Sequence, residues 1–216
     1  MDSSIADLRQ NYTLAGLTEQ DLNSDPIQQF DLWFQQALDA DLIEPNAMTL
    51  ATATADGKPS ARIVLLKGFS EAGFVFYTNY ESQKGQQLIA NPYGALVFLW
   101  DKLERQVRIE GSVVKLSITE SAEYFHSRPK ASQLGAWASD QSRVIHDREV
   151  LEQKLANLTE QYDDDAQVVP LPEHWGGFRV IPNRIEFWQG RPSRLHDRLV
   201  YDRQADDNWT INRLAP

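Results

Sequence analysis

Ile185-Glu-Phe-Trp-Gln-Gly-Arg-Pro-Ser-Arg-Leu-His-Asp-Arg198 reads as two β-type limbs around a turn. The first limb carries Ile185, Phe187 and Trp188. Gly190 to Ser193 supply turn residues, and alternation resumes with Arg194, His196 and Arg198. A strand over the second limb would put those three side chains on one face, spread over roughly 13 Å at a rise of about 3.3 Å per residue. Two guanidiniums and an imidazole on one face suit an anionic, hydrogen-bonding small ligand. Arginine offers a planar fork of donors, and histidine changes charge near neutral pH. On this pattern alone, a solvated strand edge that resists aggregation fits as well as a binding face.

Outward from this hairpin the same period recurs. Strand patterns cover Met48–Thr54, Ser60–Lys67, Phe74–Asn79, Gly94–Trp100 and Arg105–Leu116. After Trp175-Gly176-Gly177 they return at Phe178–Ile181, Arg184–Gln189, Leu195–Asp202 and Trp209–Leu214. Helices interrupt the strands. Asp25-Pro26 reads as N-cap and first residue of an amphipathic helix carrying Ile27, Phe30, Phe34, Ala37 and Leu38. Ser82 can cap a helix to about Ala90, and Ser117-Ile-Thr-Glu120 is a capping box. Pro129 breaks that helix, a short one follows over Ser132–Trp137, and Asp147–Tyr162 places Val150, Leu151, Leu155 and Leu158 inward. Roughly seven or eight strands with helices between them predict a mainly β fold with helical additions (α+β), an antiparallel barrel or sandwich. Residues 1–24 read as an arm that orders only against something else, and residues 25–216 as one domain.

Composition narrows the function. A net charge of −10 and a sequence pI near 4.8 argue against nonspecific binding to nucleic acid or an anionic membrane. The chain has no cysteine, which removes disulfides, thiolate chemistry and Cys-ligated metals. Asp163-Asp164-Asp165 reads as a solvated loop, so no metal site is expected. No signal peptide and no membrane-length apolar run is visible, which makes the cytoplasm the expected location. Neither a Gly-x-Gly-x-x-Gly fingerprint nor a Walker loop is present, so any nucleotide-like group must be held by basic side chains and helix ends.

Candidate anion-binding residues are spread along the chain. Arg62 and Lys67 close the two ends of an apolar strand, point to opposite faces and lie roughly 16 Å apart, so they suit two phosphates better than one. Lys84 with the first turn of its helix forms an anion site of the helix N-terminus type; read by itself, a plain surface lysine is the simpler account. Tyr124 and Arg128 share one helix face, with Ser132 just beyond, and all three can donate to phosphate oxygens.

The opening segment resembles the C-terminal signature of pyridoxamine 5′-phosphate oxidases, which runs apolar, Glu, aromatic, Trp, Gln, four variable residues, then Arg, apolar, His, Asp, Arg. The likeness runs from about Leu8 to Pro216 and includes Arg-Ile-Val-Leu-Leu-Lys at 62–67, Phe-Tyr-Thr-Asn at 76–79, Glu-Arg-Gln-Val at 104–107, Tyr-Phe-His-Ser-Arg-Pro at 124–129 and the closing Arg-Leu-Ala-Pro. It implies an antiparallel split β-barrel that binds FMN, built as a homodimer with FMN at the subunit interface. FMN contacts are then expected at Arg62, Ile63, Val64, Leu65, Leu66, Lys67, Tyr77, Thr78, Gln83, Lys84, Gln106, Gln141, Ser142, Trp188 and Arg198. Substrate contacts are expected at Lys67, Tyr124, Arg128, Ser132, Arg194, Leu195 and His196, with Arg9 and Tyr12 in a possible lid and Arg194 and His196 as the catalytic pair.

Gln83 stands where the family usually has arginine, which implies weaker FMN retention. The implied reaction is oxidation of pyridoxamine or pyridoxine 5′-phosphate to pyridoxal 5′-phosphate, with hydride passing from C4′ to FMN and dioxygen leaving as hydrogen peroxide. The rivals are a flavin oxidase of another pathway, such as phenazine biosynthesis, and a noncatalytic binder of FMN or pyridoxal phosphate.

Overall fold

A computed structural model describes residues 11–164 and 166–216, so Arg9 lies outside the described residues. Among these the helices are α1 (Pro26–Asp39), α2 (Gln83–Ala90), α3 (Ile118–Ser127), α4 (Lys130–Ala138) and α5 (Glu149–Gln161). The strands are β1 (Ala47–Ala53), β2 (Pro59–Leu65), β3 (Gly68–Ser70), β4 (Gly73–Asn79), β5 (Tyr93–Trp100), β6 (Arg105–Lys115), β7 (Trp175–Gln189), β8 (Asp197–Arg203) and β9 (Trp209–Arg213). They form one sheet in the order β2-β1-β5-β6-β7-β4-β3, with β8 on β7 and β9 on β8. β3–β4, β4–β7, β7–β8 and β8–β9 pair antiparallel. This is the mainly antiparallel α+β class expected from the strand pattern.

The chain parts into two compact units. The first comprises Met1–Leu50, Ala95–Gly111 and Pro182–Pro216. Its core follows from the stripe on α1. The Asp25 side chain accepts from the Ile27 amide at 2.8 Å, Pro26 opens the first turn, and Phe30, Trp33 and Ala37 turn inward. Phe30 meets Phe98 at 5.2 Å between ring centroids, and Trp33 stands edge-on to Phe187 at 5.1 Å. Burying a ring such as Phe30 contributes about 2–3 kcal/mol.

The second unit comprises Ala51–Gly94 and Ser112–Ile181. β4 lies against the first half of β7, with Tyr77 opposite Gly177 and Thr78 opposite Gly176. A Cβ at Gly176 would stand 2.1 Å from the Tyr80 hydroxyl, so only glycine lets that ring lie on the sheet. Phe125, Leu134, Val169 and Trp175 form the core beneath α3 and α4.

Four expectations need correction. Arg194, His196 and Arg198 do not share a strand face. Pro192–Arg194 is a 3-10 turn with Ser193 at φ 59° and Arg194 at φ 64°, and β8 begins only at Asp197, which pairs with Gln189. Two consecutive non-glycine residues at positive φ take the backbone out of the extended region, so the strand begins only beyond them. Second, Phe178–Ile181 and Arg184–Gln189 are not separate strands but parts of β7, 15 residues long. Pro182 is tolerated because it falls between the ladder to β4, which ends at Val180, and the ladder to β8, which begins at Arg184. Third, on α5 Leu151 and Leu158, seven apart on one stripe, are partly buried while Val150 and Leu155 are exposed. Finally, the short strand β3 occupies what the sequence presents as a loop.

Candidate functional site

The second unit contains a cavity of ≈ 700 Å³. Among the described residues three cations line it, Lys67 just past β2, Lys84 in the first turn of α2, and Arg128 at the end of α3, and no carboxylate does. Local sequence explains each position. The Lys67 amide donates to Val75 O at 2.8 Å, which ties the strand end to β4. Ser82 caps α2, its Oγ accepting from the Gly85 amide at 3.3 Å and donating to Asn79 O at 2.6 Å. A Cβ at Gly85 would stand 2.3 Å from Tyr80 O, so glycine permits the helix to start against that backbone. Pro129 forces Arg128 out of the helical region, to φ −78° and ψ 151°.

Polar contacts fix these cations. Lys84 Nζ donates to Gln141 Oε1 at 2.7 Å and Thr78 Oγ1 at 3.3 Å. Arg128 Nη2 donates to Ser132 O at 2.8 Å, and its guanidinium lies 4.7 Å from the Trp175 ring centroid. Its Nη1 is buried with no hydrogen-bond partner among the described residues. Tyr124, Tyr77 and Trp175 stack, with centroids 3.9 Å apart for the first pair and 5.4 Å for the second. Burial lowers the pKa of Arg128, and burial followed by the charge of Arg62 lowers that of Lys84. A stranded donor and desolvated cations without carboxylates are stabilised by an anionic ligand.

Of the expected residues, Ile63, Val64, Leu65, Lys67, Tyr77, Thr78, Lys84, Tyr124, Arg128, Ser132 and Gln141 line this one cavity. Arg62 does not. Its Nη1 donates to Thr52 Oγ1 at 2.7 Å and its Nη2 to Gln87 Oε1 at 3.3 Å. Leu66 is core, while Gln83 and Ser142 are exposed and outside the lining, Ser142 with φ 71°. The sequence reading missed Trp175, seen there only as the lead into a strand. Its signal was an aromatic beside two glycines, which leaves a flat surface for rings.

The other expected residues lie in the first unit. Trp188 and His196 rings sit 4.6 Å apart, and Tyr12 stands edge-on to both at 5.6 Å. The Arg191 amide donates to His196 Nδ1 at 3.1 Å, which leaves the proton of a neutral ring on Nε2. Arg194 and Leu195 are exposed, and Arg194 makes no ion pair among the described residues. Arg198 instead grips Glu186, Nε to Oε1 at 2.8 Å and Nη2 to Oε2 at 3.0 Å, and also reaches Ala215 O at 3.0 Å. That pairing raises the pKa of Arg198. Glu186 is 4% exposed, and nothing in the alternation marked it as Arg198's partner. Gln106 lies half-buried on β6.

The structure of PhzG from Burkholderia lata 383, in complex with tetrahydrophenazine-1-carboxylic acid, matches with TM-score 0.88 at 30% identity over 96% of this chain and 100% of that one. A pyridoxamine 5′-phosphate oxidase-related, FMN binding protein from Nostoc punctiforme shares the fold at TM-score 0.70 and 17% identity, over 90% and 100% of the two chains. Fold and cavity together define the class, an antiparallel split-barrel protein with a cation-lined cavity. Family profiles for pyridoxamine 5′-phosphate oxidase and for the pyridoxine 5′-phosphate oxidase C-terminal dimerisation region match residues 34–162 and 175–216. Pyridoxine/pyridoxamine 5′-phosphate oxidases of Gloeothece citriformis and Trichormus variabilis are 66% and 60% identical over 216 residues, all of both chains. The chain belongs to the pyridoxine/pyridoxamine 5′-phosphate oxidase family.

Proposed function

We propose that this chain, as a homodimer with FMN, oxidises pyridoxamine 5′-phosphate and pyridoxine 5′-phosphate to pyridoxal 5′-phosphate. Dioxygen is the acceptor, and hydrogen peroxide is released, with ammonia from the amine. The observation that carries the reading is the cavity into which Lys67, Lys84 and Arg128 are gathered, with no carboxylate in its lining and no partner for the buried Arg128 Nη1 among the described residues. Family membership, at 66% identity end to end, says which reaction such a cavity serves. FMN, when bound, supplies the two-electron acceptor that the side chains lack.

The chain's own residues bind and align. Lys84, Thr78 and Gln141, already joined by hydrogen bonds, are the natural holders of the FMN phosphate beside the first turn of α2. Lys67, Tyr124, Arg128 and Ser132 take the substrate phosphate, and the Tyr77–Trp175 stack backs Arg128. His196 offers its Nε2 proton as an orienting donor, and Arg194 brings a guanidinium uncommitted to any ion pair among the described residues. Fixed donors of this kind act by alignment and by stabilising charge as it develops. Among the described residues no helix is long and apolar enough to cross a membrane, and a cytoplasmic location is part of the proposal.

Oxygen uptake and peroxide formation test the reading. Pyridoxine 5′-phosphate is expected to drive both, and unphosphorylated pyridoxine at the same concentration neither. Turnover of a tetrahydrophenazine carboxylic acid, with none of the phosphate ester, would overturn the assignment in favour of the phenazine-type alternative.

A further inference from the structure

Glu104 occupies a backbone conformation that does not favour it. It closes the 3-10 turn Asp101–Leu103 at φ 52° and ψ 39°, where glycine or asparagine would be less strained. Its carbonyl accepts from the Gly190 amide at 2.7 Å and from Gln189 Nε2 at 3.2 Å, so its backbone is locked to the end of β7. The carboxylate makes no ion pair among the described residues. It accepts backbone amides instead, Thr13 at 3.0 Å on Oε2 and 3.2 Å on Oε1, and Leu14 at 3.1 Å on Oε2.

Those amides directly follow Tyr12, whose ring stands edge-on to Trp188 and His196. The ring lies so close to Gly190 that a Cβ there would come within 2.7 Å of it. Glutamate can hold two consecutive amides at once because both carboxylate oxygens are acceptors with several lone pairs. A second anchor fixes the chain further along. The Leu17 amide donates to Asp197 Oδ2 at 3.0 Å, and Arg213 joins Asp197 Oδ1 at 2.7 Å to Glu19 at 2.9 Å.

We propose that Glu104 is a positioning residue of the oxidation. By pinning the chain at Thr13 and Leu14 it seats the Tyr12 ring against Trp188 and His196, and it acts on substrate only through that ring. The proposal rests on the function given above. The Asp197–Arg213–Glu19 anchor keeps the arm attached when Glu104 is cut back, so the effect is one of alignment and not of folding.

The test uses the FMN-loaded full-length protein with Glu104→Ala, Glu104→Gln, Tyr12→Ala and the Tyr12→Ala/Glu104→Ala double variant. Glu104→Ala is expected to lower kcat/KM for pyridoxine 5′-phosphate by roughly threefold to tenfold, the scale of one net hydrogen bond lost at a partly solvated site. FMN content and Tm should be unchanged, and amide exchange at Thr13 and Leu14 should quicken. Glu104→Gln, which keeps an acceptor oxygen, should recover most of the loss. In the Tyr12→Ala background, Glu104→Ala should cost nothing further. An equal loss in that background, or unchanged exchange, overturns the proposal. A wild-type protein that fails to oxidise the phosphate ester overturns the reaction and the positioning role together. The exchange measurement still reports separately whether Glu104 holds the arm.

Discussion

Arg128 is fixed in direction by its surroundings, with one terminal nitrogen left over among the described residues. Pro129 takes it out of α3, Ser132 O holds one terminal nitrogen, Trp175 backs the plane, and the other terminal nitrogen is buried without a partner among the described residues. With Arg128 on the substrate phosphate, as proposed, Arg128→Ala would remove a charge-assisted pair and is expected to raise KM for pyridoxine 5′-phosphate about tenfold or more. Arg128→Lys keeps charge but not the fork, so it should fall between wild type and alanine. Steady-state kinetics of both variants check this, and an unchanged KM in Arg128→Ala would remove Arg128 from the substrate site. The grouping of Arg128 with Tyr124 and Ser132 around one cavity was legible from their spacing. The support from Trp175 was not, because it comes from a residue 47 positions away that only β4–β7 pairing brings near.

At the scale of elements, β7 and β8 form the hairpin around which the sequence was read, and the pairing changes the meaning of its arginines. Trp188 stands opposite Arg198, and the Arg198 side chain reaches along the hairpin to Glu186. Glu186 is buried, with Arg108 Nη1 as a second, longer contact at 3.4 Å. Arg198→Ala therefore leaves a buried carboxylate with one weak partner and is expected to destabilise by about 3 kcal/mol. Glu186→Gln, which retains an acceptor without the charge, should cost less. Urea unfolding with the cofactor removed measures both, and a stability equal to wild type in Arg198→Ala would show that the pair contributes nothing.

The helix caps at Asp25, Ser82 and Ser117 could be read because capping is local, decided within four residues. The turn at Gly190 to Ser193 was read as well, but its extension through Arg194 was not, since alternation alone cannot distinguish a strand from a turn that ends beside one. Pro182 misled in the opposite direction. Its missing donor matters only in relation to partners that lie far along the chain.

At the scale of the molecule, an acidic chain of net charge −10 keeps three cations in one cavity free of carboxylates. Burying cations in a partly enclosed space is unfavourable in the absence of an anion, and desolvation accordingly lowers the pKa values of Lys84 and Arg128. The proposed recognition of phosphate-bearing ligands rests on relieving that unfavourable state, with the redox chemistry left to the bound flavin. The most direct measurement is the absorption spectrum of the purified, FMN-loaded protein before and after pyridoxine 5′-phosphate is added in the absence of oxygen. Prompt bleaching of the yellow flavin band, restored when air is admitted, is the predicted result. A flavin band unmoved by saturating pyridoxine 5′-phosphate and pyridoxamine 5′-phosphate would contradict it.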